Sequence, residues 1–238
     1  MSGNEEIKTE FAFITIFPSM FEGVLNTGVL GMAFRKDLAE YTVVNLRDFA
    51  GDRHGSVDDY PYGGGPGMIL MVEPVVRAVE SVYGDTDRSD MSVVLMSPCG
   101  RQFDQQVAEE LSGRKKIIFI CGRYKGVDER INDLVVTDRI SIGDFILSGG
   151  ELPALMVADS VARYLPGVLG NEQSRDTDSF SSEEGEGILD SAYYTKPREY
   201  RGLQVPEELL SGDHARIDAW RRQSAARRTE YFRGGLEN

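Results

Sequence analysis

The chain has 238 residues, 39 of them Asp or Glu and 26 Lys or Arg, for a formal net charge of −13 and a sequence pI near 4.7. Such a balance excludes a protein that coats nucleic acid through a general positive field, and a basic membrane-surface protein. Two cysteines and two histidines leave no disulfide framework and no Cys- or His-based zinc pattern, glycine is high at 26 of 238, and no apolar run approaches the ~18–20 residues that span a bilayer.

The first ten residues are polar and acidic, without an apolar signal segment, so a reduced, cytoplasmic setting is expected. FAFITIF (11–17), bounded by Pro18, reads as a buried strand, with Ser19 suited to cap a short helix after it. YTVVNL (41–46) is a second strand. Residues 48–68 form a long Asp- and Gly-rich loop ending in Tyr62-Gly-Gly-Gly-Pro-Gly67. Pro74 opens a helix through Tyr83. SVVLM (92–96) is a strand, Asp104 caps a helix to Leu111, and KIIFIC (116–121) is the clearest strand. Residues 134–142 hold another extended run, and 151–165 have helical spacing. Strands alternating with helices predict an α/β fold with a mainly parallel sheet, and ligands in such sheets sit at the carboxyl ends of strands. Gly100, Gly122, Gly126, Gly143, Gly149 and Gly150 all follow strands.

Residues 171–190 carry seven acids and one base and read as a mobile linker; from 196 onward there are nine bases and seven acids. By segment the charge is −9 over 1–170, −6 over 171–190 and +2 from 191 on. Five arginines and one acid lie between Arg216 and Arg228, with Trp220 among them, which suggests a small helical domain with a basic face. Arg221, Arg222, Arg227 and Arg228 suit RNA phosphates, whereas Trp220 is better read as part of a small core.

Three motifs stay open on spacing alone. Tyr62–Gly67 is equally suited to cradling an anion and to a tight structural loop, and it lacks the Gly-Lys-Ser/Thr ending of a P-loop. Gly122–Arg130 is either a close backbone approach to a ligand, with Tyr124 against a flat ring, or an ordinary strand-to-helix turn. Ser141–Pro153 is either a backbone pocket for an adenine-like group or a glycine-softened crossover. Arg163 and Asp178 look like a helix-end charge and a solvated acid, and Cys99 and Cys121 like small buried hydrophobes.

Taken together, ITIFP (14–18), DDYPYGGGPGM (58–68), SPCGR (97–101), CGRYKGVDERI (121–131), SIGDFILSGGELPA (141–154), PGVLGNEQS (166–174), DSF (178–180), YYTKP (193–197) and LLSGDHARIDAWR (209–221) resemble the bacterial tRNA (guanine-37-N1)-methyltransferases. The resemblance runs from about residue 11 to 233. It implies a SPOUT-type α/β catalytic domain with a deep trefoil knot over 1–168, a flexible acidic linker over 169–190, and a helical tRNA-binding domain over 191–238. It further implies a homodimer with active sites at the subunit interface, acting on tRNA with S-adenosylmethionine as methyl donor. By motif, the cofactor pocket takes Met96, Pro98, Gly122, Tyr124, Ile142, Gly143, Asp144, Phe145, Ile146, Leu147, Gly149 and Gly150, and the catalytic pair is Arg163 and Asp178. Two residues depart from the family pattern. Lys125 stands where the family has the Glu linked to its magnesium dependence, and a Lys repels a divalent cation, so Mg2+ use is in question. Tyr60 stands where Arg is usual. The rival readings are another SPOUT-type RNA methyltransferase, and a nucleotide- or RNA-binding α/β protein without activity.

Overall fold

Central strands of a parallel sheet are covered on both faces and therefore need unbroken apolar sequence. FAFIT and KIIFI meet that need, and in the computed structural model, which describes residues 8–170, 178–181 and 187–234, both are buried almost end to end. The chain divides into two compact units, 1–170 and 171–238.

In the first unit, β1 (Thr9–Thr15), β2 (Ala39–Asn45), β5 (Met91–Gln102), β6 (Lys116–Ile120) and β7 (Asp138–Ser141) form one sheet, in the order β2-β1-β6-β5-β7, with every pairing parallel. The short strands β3 (Asp58–Asp59) and β4 (Ile69–Leu70) pair separately. Alternate side chains divide the core between the two faces. Phe11, Phe13, Val94, Met96, Ile117, Phe119 and Cys121 join residues of α2 (Gly28–Arg35), α4 (Gln105–Ser112) and α6 (Glu151–Ala162). Ala12, Ile14, Val93, Leu95, Ile118 and Ile120 join residues of α3 (Val72–Ser81) and α5 (Arg130–Leu134). The result is a helix–sheet–helix sandwich. Phe13 stacks on Phe119 with ring centroids 5.3 Å apart.

Several boundaries differ from the sequence reading. Ser19 lies inside a 3-10 turn (Pro18–Met20) and caps nothing; the short helix α1 (Glu22–Leu25) follows. The α3 helix starts at Val72, two residues before Pro74, which still falls in its first turn. Asp104 does cap α4, its carboxylate accepting from the Val107 amide at 2.9 Å. The extended run at 134–142 reduces to β7, because α5 occupies its first residue. The β5 strand continues past Met96 to Gln102 through a register break between Met96 and Arg101. Gly100 lies within this extension, where a Cβ would come 2.4 Å from the backbone of Arg139 and Ile140, so it serves strand approach rather than a ligand. Cys121 is buried as expected, but Cys99 is exposed, because it sits in the looped-out part of β5 between the two paired stretches.

The second unit contains a hairpin of β8 (Glu199–Tyr200) and β9 (Leu203–Gln204), then α7 (Glu207–Leu210) and α8 (His214–Arg233). Asp213 caps α8, its side chain accepting from Ala215 and Arg216 amides. Residues 189–192 lie along α8: the Leu189 amide donates to Thr229 Oγ1, the Ala192 amide to Ser224 Oγ, and Arg228 Nε to the Asp190 carbonyl. Trp220 is half-buried, edge-on to Tyr194 at 6.0 Å. Of the linker expected over 169–190, residues 171–177 and 182–186 lie outside the described residues. No helix among the described residues is long and apolar enough to cross a membrane.

Candidate active site

Three neighbouring strands, β6, β5 and β7, end their apolar stretches at the same edge of the sheet, and the loops that follow them enclose a cavity of about 650 Å³. This is the position where parallel α/β sheets hold ligands, and the volume falls in the small-molecule range. The lining comes from 95–99, from 122–127 and from the 139–150 segment, with Glu129, Asn132 and Pro153. Of the expected cofactor residues, Met96, Pro98, Gly122, Tyr124, Ile142, Gly143, Phe145, Ile146, Leu147, Gly149 and Gly150 all line it; Asp144, between two lining residues, does not.

The walls approach each other too closely for ordinary side chains. A Cβ on Gly150 would lie 2.9 Å from Cys121 Cα and 3.0 Å from the Gly122 amide nitrogen. The Gly150 amide donates to the Gly122 carbonyl at 2.9 Å, and Arg123 pairs with Gly149 in an isolated bridge. A cavity whose glycine walls are backbone and apolar side chains, with Arg123, Lys125, Glu129, Asn132 and Arg139 also in the lining, suits a flat heterocycle with a flexible tail that carries polar groups.

A buried ion pair braces these two loops, and reading the sequence alone missed it. Glu151, fully buried at the start of α6, accepts from Arg123 Nε at 3.0 and 2.9 Å and from the Thr15 hydroxyl at 2.8 Å. Arg123 also donates to the Ser148 carbonyl at 3.3 Å and lies over the Phe17 ring at 4.5 Å. Thr15 ends β1, Arg123 follows β6 and Glu151 opens α6, so the carboxylate ties three elements together at Arg123, which lines the cavity. Burial, helped by the Glu151 charge, raises the Cys121 thiol well above the ordinary thiol range and leaves it unreactive.

The 122–126 loop is also fastened from outside. Tyr124 has φ +60° and Gly126 φ +122°. The Lys125 amide donates to the Met68 carbonyl, the Leu70 amide to the Gly126 carbonyl and the Asp128 amide to the Leu70 carbonyl. The glycine-rich loop ending at Met68 is thereby carried to the cavity's edge. Tyr62 is fully exposed at its far end. Asn132 lines the cavity with its Oδ1 buried and without a hydrogen-bond partner among the described residues, an acceptor open to a ligand N–H.

Arg163 caps the carboxyl end of α6, half-buried, outside the cavity lining. Four residues earlier, Asp159 has its carboxyl raised above the usual value of 3.8 by partial desolvation, with the Arg163 charge partly offsetting the rise. Asp178 belongs to the second unit. Its carbonyl accepts from the Ser181 amide, Ser179 Oγ accepts from the Asp190 amide, and the Phe180 amide donates to the Ile188 carbonyl. Arg233 covers the Phe180 ring at 4.9 Å. The Asp178–Ser181 turn is thus pinned to residues 188–190 and to α8. On α8, Arg221, Arg222 and Arg227 are exposed, whereas Arg228 also braces Asp190. No group of three or more His, Cys, Asp or Glu that could hold a metal ion occurs among the described residues.

A family model described as tRNA (guanine-1)-methyltransferase TrmD matches residues 9–238. The tRNA (guanine-N(1)-)-methyltransferase of Bacillus subtilis is 51% identical over 224 residues, 94% of this chain and 90% of that protein. The protein of the same name from Bacillus velezensis is 52% identical over 217 residues, covering 91% and 87% of the two chains, and that from Staphylococcus carnosus is 50% identical over 218 residues, covering 91% and 86%.

Proposed function

The chain belongs to the tRNA (guanine-1)-methyltransferase family, and from that premise we propose that it transfers a methyl group from S-adenosylmethionine to N1 of guanine 37 of tRNA, next to the anticodon. The observation that carries the reading is the family match across nearly the whole chain, joined to a glycine-walled cavity at the strand ends where those motifs fall. The backbone walls at Gly122, Gly149 and Gly150, with Met96, Pro98 and the 142–147 loop, suit the adenosyl group and the bent methionine chain. When bound, the methyl donor supplies an electrophilic methyl on a sulfonium sulfur. The rest of the chemistry falls to the protein.

Guanine N1 carries a proton and is a weak nucleophile. Asp178 accepts that proton as N1 attacks the methyl carbon and the carbon–sulfur bond breaks, leaving S-adenosylhomocysteine and N1-methylguanine. Arg163 holds O6, where negative charge gathers as the proton leaves. Alignment of the two reactants provides much of the remaining rate. In this reading tRNA docks on the basic face of α8 through Arg221, Arg222, Arg227 and Arg228, and docking couples substrate choice to the chemistry. The catalytic domain is read as the trefoil-knotted SPOUT type and the protein as a cytoplasmic homodimer with the active site at the subunit interface. Ile146, Leu152 and Met156, all more than half exposed in the first unit, support a covered apolar surface there. Lys125 speaks against a magnesium ion beside the loop.

The test uses labelled S-adenosylmethionine with tRNA transcripts carrying G37 or A37. Methylation of the G37 transcript alone is expected; methylation of both alike, or of neither, overturns the reading. Asp178→Asn should retain cofactor binding and lose methylation.

A further inference from the structure

The cavity lining includes three cations, Arg123, Lys125 and Arg139, the first held in a buried ion pair and the last in an exposed one. Arg123 is held by Glu151, and Arg139 lies 3.6 Å from Glu129. Lys125 lines the cavity and makes no ion pair and no side-chain hydrogen bond among the described residues, and both its backbone and its stem are fixed against the glycine-rich loop. Its amide donates to the Met68 carbonyl at 3.0 Å. Its stem crosses Gly67 so closely that a Cβ there would lie 2.9 Å from Lys125 Cγ. Gly67 has φ +94°, a backbone conformation that L side chains rarely adopt. Gly67 therefore leaves open the track along which the lysine stem runs.

We propose that the Lys125 ammonium is the counter-ion of the methionine carboxylate of the methyl donor. The proposal rests on the methyl-donor reading of the cavity. That donor carries a single anionic group; besides Arg139, which faces Glu129, the remaining lining is largely backbone, apolar and small polar side chains, where a carboxylate without a charged partner is costly to bury. A charged partner makes its hydrogen bond both shorter and stronger. The glycine-rich loop at 62–68 then acquires a role that its spacing left open. It packs against the stem and backbone of the residue that binds the anion.

Calorimetric titration of the full-length protein with S-adenosylhomocysteine, and with its decarboxylated analogue, isolates the carboxylate. Lys125→Met should weaken S-adenosylhomocysteine binding about tenfold, the lower end of what a charge-assisted contact contributes at a partly exposed site, and leave the analogue within about twofold. Lys125→Arg should keep most of the discrimination. Equal weakening of both ligands, or of neither, overturns the proposal. So does unchanged S-adenosylhomocysteine affinity together with a reduced salt dependence of tRNA binding, which would assign the ammonium to an RNA phosphate. If the unsubstituted protein binds neither nucleoside, the methyl-donor reading itself falls, and this outcome is distinct from binding that ignores Lys125.

Discussion

Replacing Glu151 by alanine removes, in one step, the acceptor for Arg123, which lines the cavity, and for the Thr15 hydroxyl. The Arg123 side chain is only 13% exposed and cannot turn to water without leaving its place over Phe17. Breaking one side of such a buried pair costs about 3–5 kcal/mol. At roughly 2–4 °C per kcal/mol for a chain of this size, the melting temperature should fall by about 10 °C. Glu151→Gln keeps the shape and loses the charge, so roughly half that loss is expected. Arg123→Met/Glu151→Leu leaves no uncompensated charge and should recover most of the stability. Affinity for S-adenosylhomocysteine should not recover with it, because the 122–126 loop and the 148–150 segment lose their brace. Thermal melts and calorimetry on the three variants separate the two effects. If Glu151→Ala costs less than about 1 kcal/mol, or if the double variant is no more stable than Glu151→Ala, the pair is not the brace described.

Other outcomes follow from the same geometry. Maleimide should label Cys99 in the native protein and spare Cys121, and S-adenosylhomocysteine should slow that labelling because Cys99 lines the cavity; labelling of both at equal rates contradicts the burial of Cys121. Asp159 holds its proton more tightly folded than unfolded, so its contribution to stability is lost as pH rises from the ordinary value of 3.8 through the raised one. Asp159→Asn should flatten that part of the pH–stability profile, and an unaltered profile argues against the shift. Arg222→Gln and Arg227→Gln should each weaken tRNA binding and lower the salt slope by about 0.7–0.9 if each neutralises one phosphate; an unchanged slope removes them from the interface. Arg228 is a poorer probe, because its Nε also secures the Asp190 carbonyl.

The sheet was largely readable from the sequence because its inner strands are buried on both faces, which leaves unbroken apolar runs such as KIIFI. The length of β5 was not, because Pro98 and Gly100 interrupt the pattern where the chain loops out and pairs again. The α2 helix escaped notice although Val29, Leu30, Ala33 and Phe34 have helical spacing, since Gly28 at φ +60° and the polar residues before it read as loop. The cavity glycines were legible by their positions after strands. Glu151 was not, because an acid at a helix start is ordinary. Only folding brings Thr15, 136 residues away, and Arg123, 28 residues away, onto its carboxylate. Lys125 stood out in the sequence only by departing from a family pattern, and the reason for Gly67 became visible once the lysine stem was seen to cross it.

The strand order has a consequence for how the protein is made. The β1 strand pairs on one side with β2, which follows within about 30 residues, and on the other with β6, about 100 residues downstream. A ribosome adding roughly 5–20 residues per second leaves that second edge, with the apolar sequence FAFIT, unpaired for about 5–20 s. An open apolar strand edge invites pairing with other chains. Synthesis at high expression or raised temperature should therefore lose material to aggregation before β6 emerges, and slowing initiation should improve the soluble yield more than slowing elongation.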